Sequence, residues 1–93
     1  MATKTKTAQV GTRIAPDGTE TTLRPAKGRE FDLAELQAAV GGYIERVNVQ
    51  GVGHATVYAD EDGLGKGLEP NPKASALAGQ PIVGPVLIVR RDK

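Results

Sequence analysis

Apolar positions along the chain switch between two periods, and the switches divide it into seven elements. From Ala8 to Ile14 the residues are strand-like, and Thr19 to Leu23 is a β-branched run that ends at Pro25. Between them, Ala15-Pro16-Asp17-Gly18 has turn chemistry: proline presets φ at the second position and glycine relieves the steric cost further on. The two runs predict a β-hairpin with Val10, Ile14 and Leu23 on one face. Leu33, Leu36, Ala39 and Val40 then recur at helical spacing. Asp32 stands as an N-cap with Glu35 three residues on, the capping-box spacing. Phe31 precedes the cap as a hydrophobic staple, and Gly41-Gly42 stops the helix.

Tyr43 to Val49 alternates again, with Ile44 out of phase with Tyr43, Val47 and Val49, so this strand gains cover on both faces. Gln50-Gly51-Val52-Gly53 is a flexible turn and His54 to Ala59 the partner strand, closed by the polar turn Asp60-Glu61-Asp62-Gly63. After an irregular stretch, Asn71 is placed as an N-cap with Pro72 at the first helical position, where its missing N–H costs nothing. Lys73 to Ala78 is a short helix stopped by Gly79. Val86 to Arg90 is almost continuously apolar and predicts a central strand buried on both faces, with Pro85 at or just before its start. The order β-β-α-β-β-α-β predicts a small single α+β domain over residues 8–93, with an antiparallel or mixed sheet and two short helices gathered on one side. Residues 1–7, alternating Thr and Lys around small residues, predict a disordered tail.

Composition narrows the chemistry. Aromatics are 3% of the 93 residues, so the core is built from Val, Leu, Ile and Ala. There is no Cys, which removes disulfides, thiol nucleophiles and cysteine zinc sites, and the single His removes histidine metal clusters. No apolar run approaches the roughly 20 residues needed to span a bilayer, and the first residues lack the apolar stretch of a secretory signal. These features predict a cytoplasmic protein without membrane contact. The net charge of +1 conceals a basic head: residues 1–30 carry Lys4, Lys6, Arg13, Arg24, Lys27 and Arg29 against Asp17, Glu20 and Glu30. Weak nucleic-acid binding through that segment is one alternative. Only Tyr43 and Tyr58 on strands could stack on bases, and no recognition motif appears, so nucleic acid is the less favoured partner.

Few motifs carry chemistry. Asp60, Asp62 and Gly65 match the first, third and sixth positions of a calcium loop, but Leu64 and Asn71 occupy its fifth and twelfth, so the match fails and no metal site is expected. His54 is the only imidazole, and nothing in the spacing links it to a nucleophile and a carboxylate, so no catalytic residue is assigned. Gly63-Leu64-Gly65-Lys66-Gly67 follows a strand without opening directly into a helix, and fits neither dinucleotide nor Walker spacing. The start of the second helix is richer. Asn71-Pro72-Lys73-Ala74-Ser75 brings free N–H groups, a hydroxyl and an ammonium to one helix end, a combination that favours an anion. Ordinary capping explains the same residues. The candidate ligand contacts are therefore Lys66, Asn71, Lys73 and Ser75, with Gly65 and Gly67 as flexible backbone. No cofactor is expected.

The stretches Val40-Gly41-Gly42-Tyr43-Ile44-Glu45, Leu64 to Gly79 and Pro81-Ile82-Val83-Gly84 resemble a small family catalogued as domain of unknown function 3846, whose members occur widely in bacteriophages and other mobile elements. The resemblance covers residues 8–91. Lys73 departs from the Arg expected after the Asn-Pro pair, which keeps the charge and loses bidentate geometry. The resemblance implies a small cytosolic accessory protein in the host cell and carries no activity. With the residues above, the expectation is a non-enzymatic protein that captures an anionic, nucleotide-like molecule to modulate a host response. The alternative is a protein-interaction module that inhibits or redirects a host enzyme through an exposed strand edge or the acidic turn 60–62. Exposed edges also predict a homo-oligomer.

Overall fold

In the computed structural model, which describes residues 8–47 and 55–91, seven elements follow in the expected order. They are β1 (Gln9–Ile14), β2 (Glu20–Leu23), α1 (Leu33–Val40), β3 (Ile44–Val47), β4 (Thr56–Asp60), α2 (Pro72–Ala78) and β5 (Val86–Arg91). The strands form one sheet in the order β2-β1-β5-β4-β3, and every neighbouring pair is antiparallel. The apolar run of β5 takes the central place, with Pro85 immediately before the strand. Residues 1–7, expected as a tail, and His54 lie outside the described residues.

Side chains alternate along a strand, so an all-apolar strand needs cover on both faces. Val86 and Ile88 point into one cluster with Ile14, Val47, Val57, Ala59 and Ile82, and α2 covers it through Ala74 and Ala78. Leu87 and Val89 point the other way, under Ala39 and Val40 of α1 and beside Leu23, Phe31, Leu36, Ile44 and Tyr58. The two helices therefore lie on opposite faces of the sheet, which corrects the expectation of both on one side. Ile44 and Val47 fall in different clusters, as their opposed phase predicts.

The first hairpin corrects a second expectation. Leu23 stands opposite Gly11, not Val10, and so joins the α1 face, away from Val10 and Ile14. The reason is one residue of loop. Ala15 N–H donates to Thr19 O at 2.9 Å, so the loop is the three residues Pro16-Asp17-Gly18, with Gly18 at φ 94°. A two-residue loop would have paired Leu23 with Val10; one more residue moves every side chain of β2 to the other face.

The caps form as the residue types dictate. Asp32 Oδ1 accepts from Glu35 N–H at 2.8 Å, Glu35 Oε1 accepts from Asp32 N–H at 3.0 Å, and Gly41 closes α1 in the left-handed region. Glu35 Oε2 also accepts from Ala26 N–H at 2.7 Å, which ties the β2–α1 connector to the helix. Asn71 caps α2, Pro72 opens it and Gly79 closes it.

Candidate functional site

Of the residues singled out around α2, Asn71 and Ser75 are brought together with their polar atoms facing inward. Asn71 is fully buried. Its Oδ1 accepts from Ala74 N–H, and its Nδ2 donates to Ile14 O at 3.0 Å and Gly84 O at 2.9 Å. Ser75 Oγ accepts from Ile82 N–H at 2.8 Å and donates to Asn71 O at 2.8 Å. Asn71 N–H donates to Ile82 O and Gly84 N–H to Glu69 O, beside an antiparallel bridge between Pro70 and Val83. These bonds form a clasp that closes the α2 excursion onto the first residues leading to β5. A buried polar group must be paired, and here the pairing is complete within the chain. Lys73 points elsewhere, to Glu20 on β2 and to Gly18 O.

Lys66 belongs to a third place. Its Nζ donates to Asp60 Oδ2 at 2.6 Å, and Asp60 Oδ1 accepts from Asp62 N–H at 2.8 Å. Asp60, expected in a polar turn, is the last residue of β4 and its side chain is 1% exposed. The Lys66 ammonium holds the Asp60 carboxyl below the usual carboxylate range; burial pushes against this, and the Asp62 N–H supports it. Gly42 packs directly over the pair, where a Cβ would stand 2.9 Å from Asp60 Oδ2. Gly65 and Gly67 lie exposed in the turns that follow. The adjoining cavity of about 200 Å³ is lined in part by Glu45, Asp60, Glu61 and Asp62, a charge of the wrong sign for an anion. Tyr43 and Leu64 are 68% and 84% exposed. The candidate residues thus split into three separate arrangements, each with an internal partner for its charge or its side-chain hydrogen-bonding groups.

A different region has open capacity. β2 is an edge strand. The Ala15–Thr19 bond marks the hydrogen-bonded phase of the hairpin, so Thr21 and Leu23 bond inward to Arg13 and Gly11. By the same alternation Glu20 and Thr22 send their N–H and C=O outward, away from β1. Beside this edge, on the α1 face, runs a groove of about 470 Å³ between Leu23, Phe31, Ala38 and Ala39, lined also by Arg13, Arg24 and Glu35. It exists because α1 presents two alanines, not larger side chains, toward the edge strand. Arg13 Nε donates to Ala39 O at 2.8 Å, which fixes the guanidinium at the groove. Sequence reasoning placed Leu23 on a hairpin face, Phe31 as a helix staple and Ala39 in the apolar stripe of the helix, and missed the groove. The available signal was the pairing of a short, Thr-rich edge strand with a small-residue helix face.

Among the described residues, no helix is long and apolar enough to cross a membrane, and no group of three or more His, Cys, Asp or Glu is arranged to hold a metal. No curated protein and no solved structure matches the chain. A family model does match, over residues 13–93, which takes in every described strand and helix from the end of β1 onward. On that match the chain belongs to the family described as Domain of unknown function (DUF3846).

Proposed function

We propose that this domain acts by binding another polypeptide and not by catalysis. An extended segment of a partner protein adds to β2 as a sixth strand and lays alternate side chains into the groove beside α1. The observation that carries this is the coincidence of outward backbone groups at Glu20 and Thr22 with a groove on the same edge. Main-chain bonds supply affinity in such strand addition, and the groove supplies selectivity. The reading takes precedence over capture of an anionic molecule by Lys66, Asn71, Lys73 and Ser75, where each side chain already has a partner within the chain. An accessory role in the cytoplasm of a phage-infected or element-bearing host cell belongs to the same proposal and rests on the family resemblance alone.

The test uses Thr22→Pro. The N–H it removes points outward, so pairing with β1 survives while the edge is blocked; proline is tolerated on edges of this kind. A library of random decapeptides is selected on the full chain and counter-selected on the variant. Enrichment of alternating apolar sequences on the parent protein alone is the expected result. Equal retention by both proteins overturns the proposal.

A further inference from the structure

The groove also has a charge preference, and with the register of β2 it defines a short sequence pattern. We infer that the docked segment carries an apolar residue followed two positions later by Asp or Glu. This step rests on the strand-docking function proposed above.

Directly opposed residues of neighbouring strands share a face. Leu23 and Thr21 lie on the α1 face, so the residues that stand opposite them in an added strand project toward the groove. Opposite Leu23, the side chain meets Leu23, Phe31 and Ala38, an apolar surface. Opposite Thr21, it lies in line with Arg13, which is the cross-strand partner of Thr21 on β1. Thr21 is small and exposed, so it leaves the space between open. Among the described residues Arg13 makes one hydrogen bond, through Nε to a backbone carbonyl, and no ion pair; Asp17 in the hairpin loop acts on it through its Coulombic field without a salt bridge. A half-buried guanidinium held in place by Nε keeps its terminal N–H groups for an incoming carboxylate, the partner its geometry fits best. Every pair in this sheet is antiparallel, the stronger arrangement per residue, and we take the added strand to follow suit. Antiparallel to β2, the position opposite Leu23 comes first and the position opposite Thr21 two residues later. The order is apolar-x-acidic.

A second copy of this chain fits the pattern poorly. Placed antiparallel on itself about Thr22, β2 would set Thr21 where the apolar side chain belongs and Leu23 against Arg13.

Three capped threonine-rich heptapeptides test the pattern, with Leu-Thr-Glu, Leu-Thr-Lys or Glu-Thr-Leu at the centre. Each is titrated into the ¹⁵N-labelled full chain, and amide shifts are followed at Glu20–Leu23 and Ala38–Ala39. The Leu-Thr-Glu peptide is expected to bind about tenfold more tightly than the other two, the size of one charge-assisted hydrogen bond. The Arg13→Gln protein is expected to lose that preference. Equal affinities for the three peptides, with shifts at β2, overturn the acidic pattern and leave strand docking standing. No shift at β2 with any peptide, and no selected decapeptide, overturns both. A dimer that Thr22→Pro abolishes assigns the edge to a second copy and likewise overturns the inference. Should Arg13→Gln fail to fold, the Glu and Lys peptides on the parent protein still decide it.

Discussion

The α2 clasp and the β2 edge both set polar groups beside an apolar core, yet they use them in opposite ways. In the clasp, Asn71 and Ser75 turn every side-chain donor and acceptor inward, onto Ala74, Ile14, Gly84 and Ile82. At the edge, the backbone of Glu20 and Thr22 and the guanidinium of Arg13 keep bonding capacity toward solvent. The clasp has the residue types of a binding site and the edge does not. What makes a surface ready for a partner is unfilled hydrogen-bonding and packing capacity, and residue type alone does not report it.

The comparison breaks most visibly at Asn71. Asn71→Ala removes the cap of α2 and leaves two buried carbonyl oxygens, of Ile14 and Gly84, without their donor. A lost cap costs about 1 kcal/mol and each orphaned buried group about 1–3 kcal/mol. We expect a loss of at least about 3 kcal/mol in urea unfolding, a large part of the roughly 5–9 kcal/mol available to a domain of this size. Asn71→Asp is expected to be as damaging, because it loses both donors. A loss below about 1 kcal/mol would show that the clasp is not structural and would return Asn71 to the list of ligand contacts.

What was legible in the sequence follows the same division. Asp32 with Glu35, Asn71 with Pro72, and the closing Gly41 and Gly79 are local patterns, and each forms the cap its spacing predicts. The run Val86–Val89 announces a central strand because four successive apolar residues in an extended chain need cover on both faces. The placement of the helices was not legible from either helix alone. It was implicit in that same run, since two buried faces need two covers. Leu23 was misplaced because a one-residue change in loop length inverts a strand. Asp60 was misread because its partner, Lys66, is brought back over it by the turns at 61–67. The groove depends on the distance between α1 and β2, which no periodicity encodes.

Asp60 sharpens the comparison next, because its inward polarity is conditional on charge. Its folded-state carboxyl titrates below the ordinary value of 3.8, chiefly through Lys66. The stabilisation is therefore present above that ordinary value and is lost as pH falls through it toward the folded value. Asp60→Asn should flatten this acid limb and cost about 2 kcal/mol at pH 7, as for a hydrogen bond to a charged partner. An acid unfolding midpoint unchanged by the substitution would separate Asp60 from the acid response. Gly42→Ala probes the same pair from above, since the added Cβ displaces Lys66 Nζ or Asp60 Oδ2. Its effect on thermal unfolding should be similar in sign and smaller, because the Lys66 side chain is 41% exposed and free to move.

At the edge the expected pattern inverts: a small change in stability with a large change in binding. Thr22→Pro should shift the unfolding free energy by about 1 kcal/mol or less, since its lost N–H bonds nothing in the sheet. It should nonetheless abolish retention of the selected peptides. A variant that unfolds substantially would mean that the outward backbone of β2 has an internal role.

The smallest effect is expected where the two regions touch. Lys73 on α2 pairs with Glu20 on β2, and both side chains are nearly half exposed. Such pairs contribute about 0–1 kcal/mol and weaken with salt, so Lys73→Ala should leave stability within about 0.5 kcal/mol and peptide docking unchanged. Docking at Glu20 uses its backbone, which the ion pair does not occupy. The same variant, combined with Lys66→Ala, decides the competing use of these residues. Native mass spectrometry of the parent protein purified from cells would reveal a stoichiometric small anion if the lysines hold one. If that anion were present and the double variant lost it, the ion pairs to Asp60 and Glu20 would be resting contacts that a ligand displaces. The contrast between a closed clasp and an open edge would then fail at its clasp. An empty protein, with docking intact in the double variant, leaves Lys66 and Lys73 as surface charges whose partners are already in the chain.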